Sequence, residues 1–121
     1  MARLSEDKHQ ENVIKWKMQP HIMARWPEVA LLFHIPNERK CTPEQGARLK
    51  RMGVRSGVPD LCLPVARGRY HGLYIEMKTP DGHTTREQNW WGEHLIAQGY
   101  MWEVCHGWES AVAVLEWYLQ L

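Results

Sequence analysis

The stretch Gly57-Val58-Pro59-Asp60-Leu61-Cys62-Leu63-Pro64-Val65, followed after Ala66-Arg67-Gly68-Arg69 by His71-Gly72-Leu73-Tyr74-Ile75-Glu76-Met77-Lys78, decides the fold. Val58 to Val65 is a run of Val, Leu, Cys and Pro whose only charge is Asp60, the composition of a strand buried on both faces. The glycine-containing turn returns the chain as a second strand, His71 to Lys78, so the pair reads as a hairpin. Period-two alternation sets Leu73, Ile75 and Met77 on one face and Tyr74, Glu76 and Lys78 on the other. A carboxylate in an apolar central strand is costly unless it is paired, protonated or bound to a cation. Neighbouring strands lie about 4.8 Å apart, so Asp60 and Glu76 can converge on one ion. Hard carboxylate oxygens without thiolate or clustered imidazole favour Mg²⁺ or Mn²⁺ over zinc. Lys78 projects to the Glu76 side. There its ammonium can form a cross-strand salt bridge with Asp60, or orient a water and offset charge developing on a phosphoryl group.

Working outward, Ser5 to Met18 reads as a helix capped by Ser5, with Glu6 and Asp7 at the positive end of its dipole and Pro20 as its stop. Glu6, Gln10, Val13, Ile14 and Lys17 fall on one face, so a carboxylate and an amide share the apolar stripe. Leu31 to Ile35 is a short apolar strand ended by Pro36-Asn37. Thr42-Pro43-Glu44 opens a second helix that Gly53 closes. Downstream, Thr84 or Thr85 caps a helix that places Gln88 in line with Trp91, Gly92 and Leu95. Tyr100 to Cys105 is a strand, and Glu109 to Leu119 is a helix with the stripe Ala111, Val114, Leu115, Tyr118 and Leu119. The expected product is one α/β domain, residues 1–121, with helices around a central four-stranded mixed sheet.

Composition bounds the function. At 121 residues, 44% hydrophobic and 24% charged, the chain has ordinary globular usage. No apolar run approaches the roughly 18 residues that a membrane span needs. The N-terminal residues Met1 to Asp7 lack the apolar centre of a secretory signal, so a cytoplasmic location is expected. Cys41, Cys62 and Cys105 form no CxxC pair and read as reduced thiols. No GxxxxGK[ST], GxGxxG or GxSxG is present, which weakens nucleotide-cofactor and serine-hydrolase readings. Net charge is +1 but segregated, because Arg39 to Arg69 holds eight basic residues against Glu44 and Asp60. Past Arg86 there is no Lys or Arg, while five glutamates follow. Such a split points one side of the molecule at a polyanion.

Taken together, Gly57-Val58-Pro59-Asp60, a hairpin, Tyr74-Ile75-Glu76-Met77-Lys78 and Gln88 on a following helix match the PD-(D/E)xK nuclease pattern, which has a restriction-endonuclease-like core. From about Ser5 to Leu119 the chain more closely resembles the virus-type replication-repair nuclease (VRR-NUC) family in its stand-alone phage and bacterial form. The telling stretches are Leu32-Phe33-His34-Ile35-Pro36-Asn37, Gly46-Ala47-Arg48-Leu49-Lys50, Gly53 to Leu61 and His71 to Lys78. The resemblance implies metal-dependent phosphodiester hydrolysis on DNA, with Asp60 and Glu76 as metal-binding carboxylates and Lys78 as the catalytic lysine. It further implies Glu6 as the first-helix acid, with Glu11 competing for that part, Gln88 as the glutamine after the motif, and the Met77 carbonyl as a metal ligand. Stand-alone relatives are dimeric and cut branched DNA such as four-way junctions. The same is expected here, with Arg48, Lys50, Arg51, Arg55, Arg67 and Arg69 contacting phosphates. The alternative is a DNA-binding module of the same fold without cleavage. One departure lies in Glu38-Arg39-Lys40-Cys41, where members often carry glycines in the substrate-side loop. Most of the seven tryptophans are expected in the core or covering the sheet, but Trp16, Trp26, Trp108 and Trp117 fit the apolar stripes poorly, and one or two of them are expected to mark a subunit contact.

Overall fold

Ser5 starts the first helix, its Oγ accepting the Lys8 N–H at 3.1 Å. In the computed structural model, which describes residues 3–36 and 41–121, that helix is α1 (Glu6–Lys17). Most of the substrate-side loop read at Glu38 to Cys41 lies outside the described residues. α1 ends before Pro20 as the sequence reading has it, and Pro20 also opens a second helix, α2 (Pro20–Arg25), because a proline at the first helical position gives up only an N–H that has no partner there. A 3₁₀ turn over Pro27–Leu31 follows, and it takes up the start of the expected strand, leaving β1 with Phe33–His34. Then come α3 (Pro43–Arg51), β2 (Leu61–Leu63), β3 (Leu73–Lys78), α4 (Arg86–Ala97), β4 (Met101–His106) and α5 (Trp108–Leu119). β2 is shorter than the run that predicted it, since Pro59 and Pro64 flank it and neither can donate to a ladder.

The sheet order is β1-β2-β3-β4. β1/β2 and β2/β3 are antiparallel, and β3/β4 is parallel through the α4 crossover. Leu61 pairs with Ile75 and Leu63 with Leu73. On that face Leu61, Leu63, Leu73, Ile75 and Met77 pack with Val13 and Trp16 of α1 and with Ala111, Leu115 and Tyr118 of α5. Fully burying side chains of this size stabilises by about 1.5–3 kcal/mol each. Trp16 and Trp26 therefore belong to the core, and Trp108 packs against it, whereas Trp117 is 51% exposed. Cys62 and Cys105 are buried free thiols, and burial pushes the Cys105 thiol up to about 12.

The buried face of α1 is centred on His9, Val13 and Trp16, one residue round from the expected stripe. His9 turns inward because its Nδ1 accepts the Trp108 N–H at 3.1 Å, serving the start of α5, where Gly107 offers no side-chain cap. Glu6, Gln10 and Lys17 are left half-buried at the flank. Lys17 uses that position to donate to the Leu32 carbonyl at 2.7 Å.

The opposite face of the sheet meets α4. Gly92 admits the Trp102 ring so closely that a Cβ at 92 would lie 2.4 Å from it. Alanine gains about 1 kcal/mol over glycine in a helix, but overpacking costs about 1–3 kcal/mol, and three ring atoms in the way set the upper end here. Gly92→Ala is expected to lower the thermal midpoint by roughly 5–10 °C, read by circular dichroism.

Candidate active site

Asp60 sits at the mouth of β2, one residue before the Leu61–Ile75 pair, and so faces Glu76 across the hairpin. Its Oδ2 accepts the Met77 N–H at 2.7 Å. Two local features hold it there. Gly57 has φ +86°, and a Cβ on it would come 2.7 Å from Glu87 Cβ and 3.0 Å from Gln88 N, so the approach to Asp60 is pressed onto the first turn of α4. On the other side β1 binds the Asp60 carbonyl, which accepts from Ile35 N and His34 Nδ1, each at 2.8 Å.

Asp60, Glu76 and Lys78 are 4%, 1% and 7% exposed. Glu6, in the first turn of α1, brings a third carboxylate: ligand oxygens of Glu6, Asp60 and Glu76 all lie within 4.8 Å of one another. Lys78 Nζ stands 3.7 Å from Glu76 Oε2. Gln88 Nε2 donates to the same oxygen at 3.3 Å. The Gln88 amide cannot turn round, because its Oε1 accepts the Thr85 N–H at 2.8 Å in a capping box that starts α4.

Burial pushes the Glu76 carboxyl up to about 9, its hydrogen bond with Asp60 and the charges of Asp60 and Glu6 adding to the rise while Lys78 opposes it. Among the described residues, Glu76 Oε1 is one of two buried side-chain polar atoms without a hydrogen-bond partner. Ionised, the three carboxylates exceed the charge of Lys78 by two. An all-oxygen donor set with that excess and an unsatisfied inward oxygen fits a hard divalent cation.

The structure thus gathers Glu6, Asp60, Glu76, Lys78 and Gln88 at one place. It separates Glu6 from Glu11, which is exposed and pairs with Lys8 at 2.9 Å. The Met77 N–H points at Asp60, and since a strand residue turns its N–H and C=O to the same neighbour, the Met77 carbonyl lies on that edge too. The basic residues divide. Arg48, Lys50 and Arg51 are exposed on α3, and exposed Arg55 follows in the segment leading to Asp60. Arg67 and Arg69 occupy the turn at the far end of the hairpin, away from the carboxylates, and Arg67 pairs with Glu28 at 2.5 Å. Sequence reading gave no role to His34, although it lies in the stretch Leu32 to Asn37 that carries the family resemblance. It also missed a cleft lined by Arg55, Ser56, Arg86, Glu87, Trp90 and Trp91. No described helix is long and apolar enough to cross a membrane.

Comparison with known proteins agrees with this geometry. Residues 4–109 match the family described as the VRR-NUC domain. No curated protein matches the chain. A solved structure titled "VRR_NUC domain protein" superposes with a TM-score of 0.80 at 34% identity, covering 98% of this chain and 91% of that one. The PD-(D/E)xK architecture, a mixed four-stranded sheet with flanking helices, is consistent with that likeness. With the match spanning most of its length, the chain belongs to the VRR-NUC family of nuclease domains acting on DNA.

Proposed function

We propose that this protein is a Mg²⁺- or Mn²⁺-dependent endonuclease that hydrolyses phosphodiester bonds in branched DNA, such as four-way junctions or flaps, during replication, recombination or repair. The observation that carries the reading is the convergence of Glu6, Asp60 and Glu76 beside Lys78 in a site that excludes most water. In it, Asp60, Glu76, the Met77 carbonyl and Glu6 hold the cation. When bound, the ion supplies polarisation of the scissile phosphoryl oxygen and acidification of a water. Lys78 orients the attacking water at the phosphorus and offsets charge developing on the phosphoryl oxygens. Gln88 keeps Glu76 aimed inward.

Substrate is held through phosphates by Arg48, Lys50, Arg51 and Arg55, which lie before Asp60 in the chain and are exposed. Arg67 and Arg69 reach only DNA that extends to the far end of the hairpin. A homodimer of single 121-residue domains suits a junction, whose two-fold symmetry offers equivalent strands to two equivalent sites.

A cleavage assay on duplex, flap, splayed and four-way DNA with Mg²⁺, Mn²⁺ or excess chelator tests the reading, alongside light scattering at micromolar protein. Cutting of branched forms by a dimer, abolished by chelator, is expected. Full activity in chelator or indifference to DNA form overturns it. Within the site, Glu6→Gln is expected to slow cleavage about 10- to 100-fold, less than loss of Asp60 or Glu76, because Glu6 is the least buried of the three carboxylates. Glu11→Gln, on the exposed side of α1, should leave the rate within about twofold in the same assay.

A further inference from the structure

We propose that the cleft between the first turns of α4 and the Arg55–Gly57 segment is a stacking site for one unpaired base of the DNA strand being cut. The proposal rests on the reading of DNA as substrate, and names the form of DNA the site selects. The cleft has a volume of about 250 Å³. That is below the roughly 300–1,000 Å³ of sites for drug-sized ligands, and it suits one planar group rather than a base pair.

Its walls are chemically suited to a nucleotide. Trp90 and Trp91 meet nearly at right angles, 84° with centroids 5.5 Å apart, forming an aromatic corner. Trp90 is 45% exposed, an unusual expense for so large an apolar ring unless it meets something. His94 stacks on it at 3.9 Å but does not line the cleft, so the imidazole backs the ring. Arg55 lies over both indoles, 5.8 Å from Trp90 and 5.4 Å from Trp91. Among the described residues neither Arg55 nor Arg86 forms an ion pair, which leaves two guanidinium charges for phosphates. Glu87 is the one carboxylate of the lining, able to accept from an exocyclic amine of the base. Aromatic faces beside arginines are how single strands are held with little sequence preference.

The cleft is also tied to the catalytic carboxylates. Trp91 Nε1 donates to the Ser56 carbonyl at 3.1 Å, anchoring the segment that runs on through Gly57 to Asp60. Gln88 and Trp91 are three residues apart on α4 and so share a face, about 4.5 Å apart along the axis. Trp91 thus joins the cleft to the Gln88 side of the carboxylate site, and a paired base cannot enter the cleft without leaving its stack.

Fluorescence anisotropy in Ca²⁺, on a splayed duplex and on a blunt duplex of the same paired sequence, tests the proposal. Trp90→Ala is expected to weaken binding of the splayed DNA by about 5- to 150-fold and of the blunt duplex by less than about twofold. Trp90→Phe should recover most of the loss. Replacing the arm nucleotides next to the fork by abasic residues should weaken the wild type by a similar factor and leave Trp90→Ala unchanged. Equal loss on both DNAs, no loss on either, or independent additive effects of the abasic and Trp90→Ala changes would overturn it. An unaltered melting curve for Trp90→Ala confirms that its fold is intact. Should the wild type bind neither DNA, the assignment of DNA as substrate falls, and this proposal with it.

Discussion

Asp60→Asn and Glu76→Gln are each expected to reduce DNA cleavage by about three orders of magnitude or more in Mg²⁺, while the folded structure persists. The size follows from removing a charged ligand from a buried site, where one such contact to the transition state is worth about 4 kcal/mol, or close to a thousandfold. The persistence follows from what each side chain does besides. Asparagine keeps an oxygen to accept the Met77 N–H that Asp60 now holds at 2.7 Å. For Glu76 the argument is one of protons. Its folded carboxyl titrates at about 9 rather than 4.5, so the folded chain holds a proton that the unfolded chain has lost, and metal-free stability falls as pH rises through that interval. Glutamine has no proton to lose and removes the slope. Cleavage assays paired with thermal melts in chelator at two pH values check both halves. A variant that is inactive only because it is unfolded at 25 °C would defeat the ligand assignment.

Lys78→Met is expected to lower turnover by about 100- to 1,000-fold while DNA affinity in Ca²⁺ changes by less than about twofold. Methionine fills most of the volume of the lysine stem, and Lys78 is only 7% exposed, so it offers little to a DNA footprint spread over exposed arginines. The ammonium lies 3.7 Å from Glu76, at the proposed reacting centre, so its loss is expected in the transition state rather than on docking. Single-turnover rates and anisotropy titrations separate the two. A parallel fall in rate and affinity would make Lys78 a docking residue.

The centre of the site is legible in the sequence because strand geometry has a period of two. Once His71 to Lys78 is read as a strand, Glu76 and Lys78 share a face whatever its exact ends are, and the register Leu61 opposite Ile75 brings Asp60 to that same face. Helix faces are less forgiving. The stripe from Glu6 to Lys17 misses the buried His9 and Trp16 by one position, because α1 carries so few apolar residues that a histidine capping α5 counts for as much as they do. Pro20 is ambiguous in principle, since the same ring that ends one helix is favoured at the start of the next. The cleft of Arg55 and Trp90 is invisible in the sequence, for its walls lie 35 residues apart and are brought together only by the fold, through the bond from Trp91 to the Ser56 carbonyl and the packing of Arg55 over the two indoles. Charge counting finds the basic stretch but not its geometry. The hairpin that keeps Asp60 beside Glu76 carries Arg67 and Arg69 to the opposite end of the sheet.

Gln88 belongs to two structures at once, the box that starts α4 and the ring of groups around Glu76. A capping box takes glutamate as readily as glutamine at this position, so the helix is indifferent to which of the two is present. The decision is left to the neighbour. Glutamate would close the box equally well and then bring a fourth carboxylate against Glu76, which already resists ionising. Tolerance to change at residue 88 is therefore set by the charge state of the site and hardly by the stability of the fold. Variants accepted or refused at this one position would read out, in living cells, whether the site has to hold its cation.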